Sequence, residues 1–319
     1  MARPFSFDNA AFHFARAEGP SGFIPKYLLT YAIGVALIGA LSFFALQPLI
    51  DGYIQAFAMI AQGASEARVA REIEDVLANN LGRIGLGYLA IMLAYAVFWA
   101  MMESAVLRRY VREEGFSIGW GGDEWRMLAV GLMWLVAFIV AYIAFVIAVA
   151  IAMVPLASSV QNDPGPIILI VVALVLALMF AWAFVAVKLS PAGAMTIRDR
   201  SVTFFGAWGA TKGRFWPMLG AFVILGLILY VGILILYFIG AFAVMGSVMG
   251  NVNVSNGEVD PNDVIAAFSS PAVWGPIALI YFMMLVYQGV WQYAWAGVPS
   301  LAAKTDPRTG GMHDAAEQF

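Results

Sequence analysis

A chain of 319 residues that is 62% hydrophobic and only 12% charged is not built as a water-soluble globule, where about half and about a quarter are usual. The net charge of −3 and the thin spread of basic residues argue against a nucleic-acid surface, which needs a concentrated basic patch. The chain has no cysteine, which excludes disulfides, thiolate metal sites and cysteine nucleophiles.

In chain order, residues 1–26 lack the compact apolar core and small-residue cleavage site of a signal peptide. Within them Phe7, Ala11 and Phe14 follow helical spacing, widened by Phe5 and Phe12, while Asp8 and Arg16 stay wet. This predicts a short helix lying in the headgroup layer. Six apolar runs follow: Tyr27 to Leu49, Ile84 to Leu107, Met127 to Val154, Ile167 to Val187, Met218 to Met249 and Val273 to Val298. Each exceeds the ~20 residues needed to cross a ~30 Å hydrocarbon core. The fifth, ~48 Å long as a helix, must tilt, bend or protrude. Between the first two runs, Val69, Ile73, Val76 and Leu77 make an apolar stripe backed by Arg68, Arg71, Glu72, Glu74 and Asp75. The pattern predicts an amphipathic helix resting on the outer membrane surface or covering the helix ends. Phe204, Phe205 and Trp208 predict a second interfacial segment, and Phe23, Trp125, Phe215 and Trp216 are the expected anchors at the cytoplasmic membrane edge. Ala36 with Ala40, and Gly246 with Gly250, are small-xxx-small pairs that predict close helix approach.

The connecting stretches alternate between basic and base-poor. Arg3, Arg16 and Lys26 precede the first run; Lys188, Arg198, Arg200, Lys212 and Arg214 cluster between the fourth and fifth. The loops around Asn162 and Asn253 have no Lys or Arg, and only Arg68, Arg71 and Arg83 fall in stretches assigned outside. The positive-inside rule then gives an all-α, six-span protein with both termini in the cytoplasm, a tail at 309–319 and a bacterial inner membrane as its simplest home.

Sliding the chain on itself suggests three repeats. At an offset of ~91, Arg109, Gly115, Gly122, Trp125, Met127 and Leu128 fall on Arg200, Gly206, Gly213, Trp216, Met218 and Leu219. At an offset of ~192, Phe12, Ala15, Phe23 and Pro25 fall on Phe204, Ala207, Phe215 and Pro217. Pro191 precedes Arg200 as Pro299 precedes Arg308. The expected units are 1–109, 110–200 and 201–308, each an aromatic segment followed by two spans, running parallel about the membrane normal. Mitochondrial carriers also have three two-span units, but their acidic-basic signature is missing where Pro48 leads to Asp51 and Met249 to Gly250 and Asn251.

The stretch from Trp208 through Thr211, Lys212, Gly213, Arg214 and Phe215 to Pro217 carries a tryptophan, a Thr-Lys-Gly turn and an aromatic entry into a Gly-rich span. In this it resembles a bacterial multi-span family labelled as the membrane domain of glycerophosphoryl diester phosphodiesterase. The resemblance implies the fold and membrane placement only. The catalytic domain behind the label needs clustered His, Glu and Asp around a metal, which this chain does not supply.

No Walker loop, zinc-ligand spacing, Rossmann glycine pattern or serine elbow occurs. His13 and His313 lie in opposite terminal segments and read as surface residues, and Asn251, Asn253 and Asn256 as a solvated turn. No catalytic, cofactor-binding or metal-ligating residue is assigned. The informative groups are polar residues inside spans, where a charge costs roughly 2.5–3.5 kcal/mol. Glu103, Lys188, Gln288 and Gln292 lie in the cytoplasmic halves of even-numbered spans, and a threefold arrangement would gather them around a cavity open to the cytosol. The packing alternative has Lys188 reaching the headgroups, Glu103 paired with Arg108 or Arg109, and the glutamines bonding neighbouring helices. The expectation is a non-catalytic scaffold, assembly partner or accessory subunit of a membrane complex. A transporter or lipid-handling protein is the alternative, and a membrane-embedded lipid enzyme the third. Expected partners are membrane lipids and a membrane protein, with no nucleic acid; the oligomeric state is left open.

Overall fold

The computed structural model describes residues 4–153, 165–250, 252, 254–255, 258–259, 270–306 and 308. His313, the 309–319 tail, Val154 and the asparagines of the two base-poor loops lie outside them. The protein is an all-α, multi-pass membrane protein with six helices long and apolar enough to cross a bilayer. The spans are α2 (Phe23–Ala61), α3 (Glu66–Arg112), α4 (Gly122–Met153), α5 (Gly165–Leu189), α8 (Phe215–Met249) and α9 (Pro271–Lys304). Short helices α1 (Phe7–Ala11), α6 (Ala192–Asp199) and α7 (Ala207–Ala210) lie at their basic ends. A two-residue ladder pairs β1 (Val254–Ser255) with β2 (Glu258–Val259).

Two spans far outrun the expected lengths. The 39 residues of α2 and 47 of α3 correspond to ~58 Å and ~70 Å at 1.5 Å per residue. Pro48 lies inside α2 without ending it, because a proline removes only one N–H and clashes with one carbonyl, a loss that a long packed helix absorbs. The hairpin turns at a Schellman cap. Gly63 is left-handed (φ 76°); its N–H donates to the Ile60 carbonyl, and the Ala64 N–H to that of Met59.

The apolar stripe Val69, Ile73, Val76 and Leu77 is therefore not a separate surface helix. It forms the first turns of α3 and faces the outer part of α2, where a Cβ on Gly52 would meet Val76 at 2.9 Å. Val69 and Ala56 are buried. The stripe serves helix pairing because α2 continues as a helix far enough to receive it.

Contacts divide the chain into two compact units: Met1–Phe23, Glu103–Ile235 and Val290–Phe319 in the first, Ile24–Met102 and Leu236–Gly289 in the second. In the second, close approaches use glycines other than those the spacing singled out. The ring of Phe98 fills the space where a Gly34 side chain would stand, and a Cβ on Gly240 would meet Ile280 at 2.9 Å. Ala40 is exposed, and among the described residues nothing lies within 4 Å of a Cβ placed on Gly246, so neither of these two positions makes the expected close approach there.

In the first unit α4 and α5 meet through Trp182, edge-on to Trp134 at 6.2 Å and to Phe138 at 5.9 Å. The fourth span stops at Leu189 and restarts beyond Pro191, which fits the N-terminus of α6 because its missing N–H would have had no helical partner there. Pro299, its counterpart in the repeat alignment, stays inside α9. The two prolines that the sequence offset pairs thus accompany a break in one span and none in the other.

Candidate functional site

The chemistry of this chain gathers in the first unit, where the ends of the spans carry most of the charge. α3 ends in Arg108, Arg109 and Arg112, one helical turn apart or adjacent, and the next span begins with Asp123 and Glu124. Arg108, largely buried, donates to Glu124 at 2.6 Å and to the Ser117 carbonyl at 3.1 Å. Glu124 also accepts from the Gly121 N–H at 2.9 Å, so this third-position acid caps the α4 N-terminus as well. Arg112 and Arg126 both donate to Asp123, at 2.8 and 2.9 Å. These pairs border an open cleft of ≈ 340 Å³ lined by Arg108, Glu114, Trp120 and Glu124.

The returning spans are tied to one another in a closed cycle. Arg112, at the end of α3, donates to the Ile197 carbonyl of α6. Arg198 of α6 donates to the Ala303 carbonyl of α9. Lys304, the last residue of α9, closes the circle on Glu113 at 2.7 Å, and its hydrogen bond and positive charge hold the Glu113 carboxyl below its usual range. Glu113 and Arg200, which follow α3 and α6, are both left-handed (φ 57° and 51°). Glycine is the usual residue at such a helix end; at Glu113 the side chain is needed for Lys304.

The segments that lead into the spans make a second cycle. Phe7 of α1 lies where a Cβ on Gly220 of α8 would meet it at 3.1 Å. Phe116, between α3 and α4, is edge-on to Phe23 at the start of α2, 5.5 Å between centroids. Phe204, between α6 and α7, is edge-on to Trp134 of α4 at 5.6 Å. Each lead-in segment therefore packs on the first span of the preceding pair.

The N-terminal segment is part of this core. Ala10, Ala11 and His13 are buried. The His13 ring lies 5.3 Å from that of Tyr110, whose hydroxyl donates to the Tyr293 carbonyl at 2.9 Å. The expected helix in the headgroup layer is instead one α-helical turn and a 3-10 turn (His13–Ala15) packed into protein, with Phe5 5.0 Å from the Arg214 guanidinium.

The sequence-derived cluster does not assemble as a whole. Gln292 donates to Glu103 at 2.7 Å, joining α9 to α3, a glutamine bonding a neighbouring helix as in the packing alternative. The expected pairing of Glu103 with Arg108 or Arg109 does not form among the described residues, because Arg108 is bonded to Glu124 and Arg109 to the Pro20 carbonyl. Lys188 is engaged elsewhere. Its ammonium donates to the Thr211 carbonyl at 3.2 Å, while the Thr211 hydroxyl donates back to the Lys188 carbonyl at 3.2 Å. Trp208 and Phe184 flank the ammonium at 5.9 and 5.8 Å. Among the described residues no ion pair joins Lys188 to Glu103, because equal depth on two spans does not give equal direction. Gln288 is exposed, and among the described residues no side-chain hydrogen bond joins it to Glu103 or Gln292.

Of the expected anchors, Trp125 and Trp216 are exposed and Phe215 packs on Phe184 at 4.8 Å. Phe23 is not an anchor. At 2% exposure it sits under Phe116 and Arg109, the latter 5.3 Å from its ring. A phenylalanine that opens a span reads the same in sequence whether lipid or a neighbouring loop covers it.

Sequence reasoning missed the residues that close the network: Arg214, which donates to the Thr305 carbonyl at 2.6 Å, and Asp306, bonded by Arg308 at 2.8 Å. Burial alone would raise the Asp306 carboxyl, but the hydrogen bonds and charge of Arg308, with Arg198 nearby, hold it below its usual range. Arg308 also reaches the Gly206 carbonyl at 2.8 Å, and its guanidinium fills the space a side chain on Gly209 would need. The turn from Trp208 to Arg214 thus ties the end of α5, the end of α9 and the N-terminal segment together. Among the described residues no group of three or more His, Asp or Glu is placed to hold a metal ion.

Comparison of the chain with protein-family models, curated proteins and solved structures finds no match.

Proposed function

We propose that this is a non-catalytic integral protein of the bacterial inner membrane, a scaffold, assembly partner or accessory subunit of a membrane complex, with its basic ends and both termini in the cytoplasm. The observation that carries the reading is the hairpin of α2 and α3. A ~30 Å core crossed at a 40° tilt takes up only ~39 Å of helix. About 20 Å of α2 and 30 Å of α3 are left to project. The projecting part of α2 exposes Tyr53, Ile54, Phe57 and Ile60, with Phe57 70% exposed, on one side of a helix whose α3 partner carries Arg68, Arg71, Glu74 and Asp75. A contiguous apolar face held outside the bilayer is stable when another protein covers it.

The repeat belongs to this reading. Units 1–109, 110–200 and 201–308 are proposed to be related by rotation about an axis near the membrane normal. Support comes from the two cycles, in which each returning span contacts the next pair and each lead-in segment the preceding one, both in a closed order. The resemblance to the phosphodiesterase-associated membrane domain is kept as a proposal about fold and placement.

Photo-crosslinking residues placed at Phe57 and Ile60 in intact cells test the scaffold reading against one at Glu74. A discrete adduct at the first two and none at Glu74 is expected, and Phe57→Asp should release the same partner on purification in mild detergent. Equal labelling at all three positions, or none, sinks the proposal. The transport or lipid-handling alternative retains one supporting observation, the Glu103 carboxyl inside a span, bonded to Gln292 and, among the described residues, in no ion pair. Retention of the adduct together with loss of a bound lipid in Glu103→Gln would favour it.

A further inference from the structure

We propose that the segment from Arg200 to Trp216 is a binding site for the headgroups of anionic phospholipids. The inference rests on the membrane placement of the six spans and is independent of the scaffold role.

The basic end of the first unit is rich in cations, yet most are already matched by an acid. Arg16 pairs with Asp8, Arg126 with Asp123, Lys304 with Glu113 and Arg308 with Asp306, all within 3 Å. Arg200 and Lys212 are different. Both are exposed, and among the described residues neither has an ion pair or a side-chain hydrogen bond. The acid beside Arg200 is Asp199, and Arg198 occupies it at 2.6 Å.

The apolar half of the site alternates with these charges. Phe205 is 77% exposed and Trp216 69%, and Val202 and Trp208 are exposed as well. Val202, Phe205 and Trp208 lie between α6 and α8, in the connection that leads from α5 to α8, and Trp216 is in the first turn of α8. That connection starts and ends at spans, which hold it at the depth where aromatic rings settle beside headgroups.

The segment is also held in shape. Phe204, Ala207, Ala210 and Thr211 are buried, and Trp134, Lys188 and Arg308 fix the inner side through the contacts already described. What the segment exposes is two unmatched cations and four apolar side chains on a backbone held from within, so little backbone freedom is lost on binding. A phosphate carrying an acyl chain satisfies both halves at once: its charge meets Arg200 and Lys212, and its chains lie against Phe205 and Trp216. A free phosphate satisfies only the first.

At about 1 kcal/mol per basic residue near an anionic surface, two cations give roughly a 30-fold preference for a charged over a zwitterionic headgroup. The full-length protein, delipidated in detergent, is incubated with equal amounts of phosphatidylglycerol and phosphatidylcholine, and retained lipid is counted by native mass spectrometry. Wild type should favour phosphatidylglycerol by about that factor. Arg200→Gln/Lys212→Gln should bring the two lipids within about threefold, while Arg16→Gln leaves the preference intact. Trp216→Ala should lower retention of both lipids without changing their ratio. Thermal unfolding checks that each variant is folded; where the double variant is not, Lys212→Gln alone should cut the preference about fivefold. An unchanged preference in the charge variants, an equal loss in Arg16→Gln, or displacement of the lipid by inorganic phosphate alone overturns the proposal.

Discussion

Glu124 holds two loads at once, and replacing it should separate them. One carboxylate oxygen accepts from Arg108 at 2.6 Å, the other from the Gly121 N–H at 2.9 Å. Losing a helix cap costs about 1 kcal/mol, and removing one partner of a buried pair about 3–5 kcal/mol when the survivor is left uncompensated. Arg108 is not wholly abandoned here, since Asp123 and Glu114 lie 3.7 and 3.8 Å from its guanidinium. The pair's share should therefore fall to about 2 kcal/mol, giving about 3 kcal/mol for Glu124→Ala and about 2 for Glu124→Gln, which keeps a cap acceptor. The assay is denaturant unfolding in a fixed detergent of wild type, Glu124→Ala, Arg108→Met and the double variant. The double variant should lose at least 1 kcal/mol less than the sum of the singles, since the second change removes a group already stranded. Additive losses, or Glu124→Gln behaving as Glu124→Ala, would refute the assignment of both roles to one side chain.

Acid should loosen the basic end. Asp306 and Glu113 have carboxyls held below their usual range, so the stability they contribute is full above their unfolded values and is lost as pH falls through the folded ones. Melting in detergent should drop on acidification below about pH 4, and Asp306→Asn should narrow the gap between neutral and acid pH; an equal gap in variant and wild type counts against it. Glu103→Gln and Lys188→Met should have additive effects on stability, because their partners are separate; coupling above about 0.5 kcal/mol would show that they communicate. Gly34→Leu should destabilise by about 1–3 kcal/mol, because Phe98 occupies the space the side chain would enter; an unchanged melting temperature would show that the hairpin gives way freely. Single cysteines at Ser117 and Ser201, both exposed, should react with an impermeant maleimide only after lysis and one at Ser65 in intact cells; the reverse pattern would invert the orientation.

The six spans were legible because a bilayer imposes length and apolarity on each helix separately, and both can be read along the chain. What failed concerns direction and continuation. Pro48 and Asp51 look like the end of a span, yet α2 passes through both, so the stripe starting at Val69 gained a partner that spacing could not supply. Glu103 and Gln292 were read as one polar layer and do meet; Lys188 sits at a comparable depth but faces Thr211. In sequence Arg108 reads as a partner for Glu103, earlier on the same helix, but it serves Glu124 of the next helix, a pairing across helices that spacing along one helix does not reveal. Arg112, Arg198 and Lys304 gave no signal of their own. They act on carbonyls and on Glu113 across helices, and a carbonyl acceptor leaves no trace in residue identity.

The packing of the N-terminal segment has a consequence for how the chain is made. Phe5 and Phe7 leave the ribosome roughly 200 residues ahead of Arg214 and Gly220, against which they settle. At 5–20 residues per second that is a wait of about 10–40 s. During it, an aromatic-rich stretch has the bilayer surface beside it and no protein to cover it, so its spacing suits a passing stay among headgroups before a permanent place in the bundle. The cycle of Arg112, Arg198 and Lys304 closes later still, when the sixth span is in place. Until then the ends of α3 and α9 have no tie to each other, and a chain stalled before Lys304 carries an unmatched Glu113 that a finished one does not.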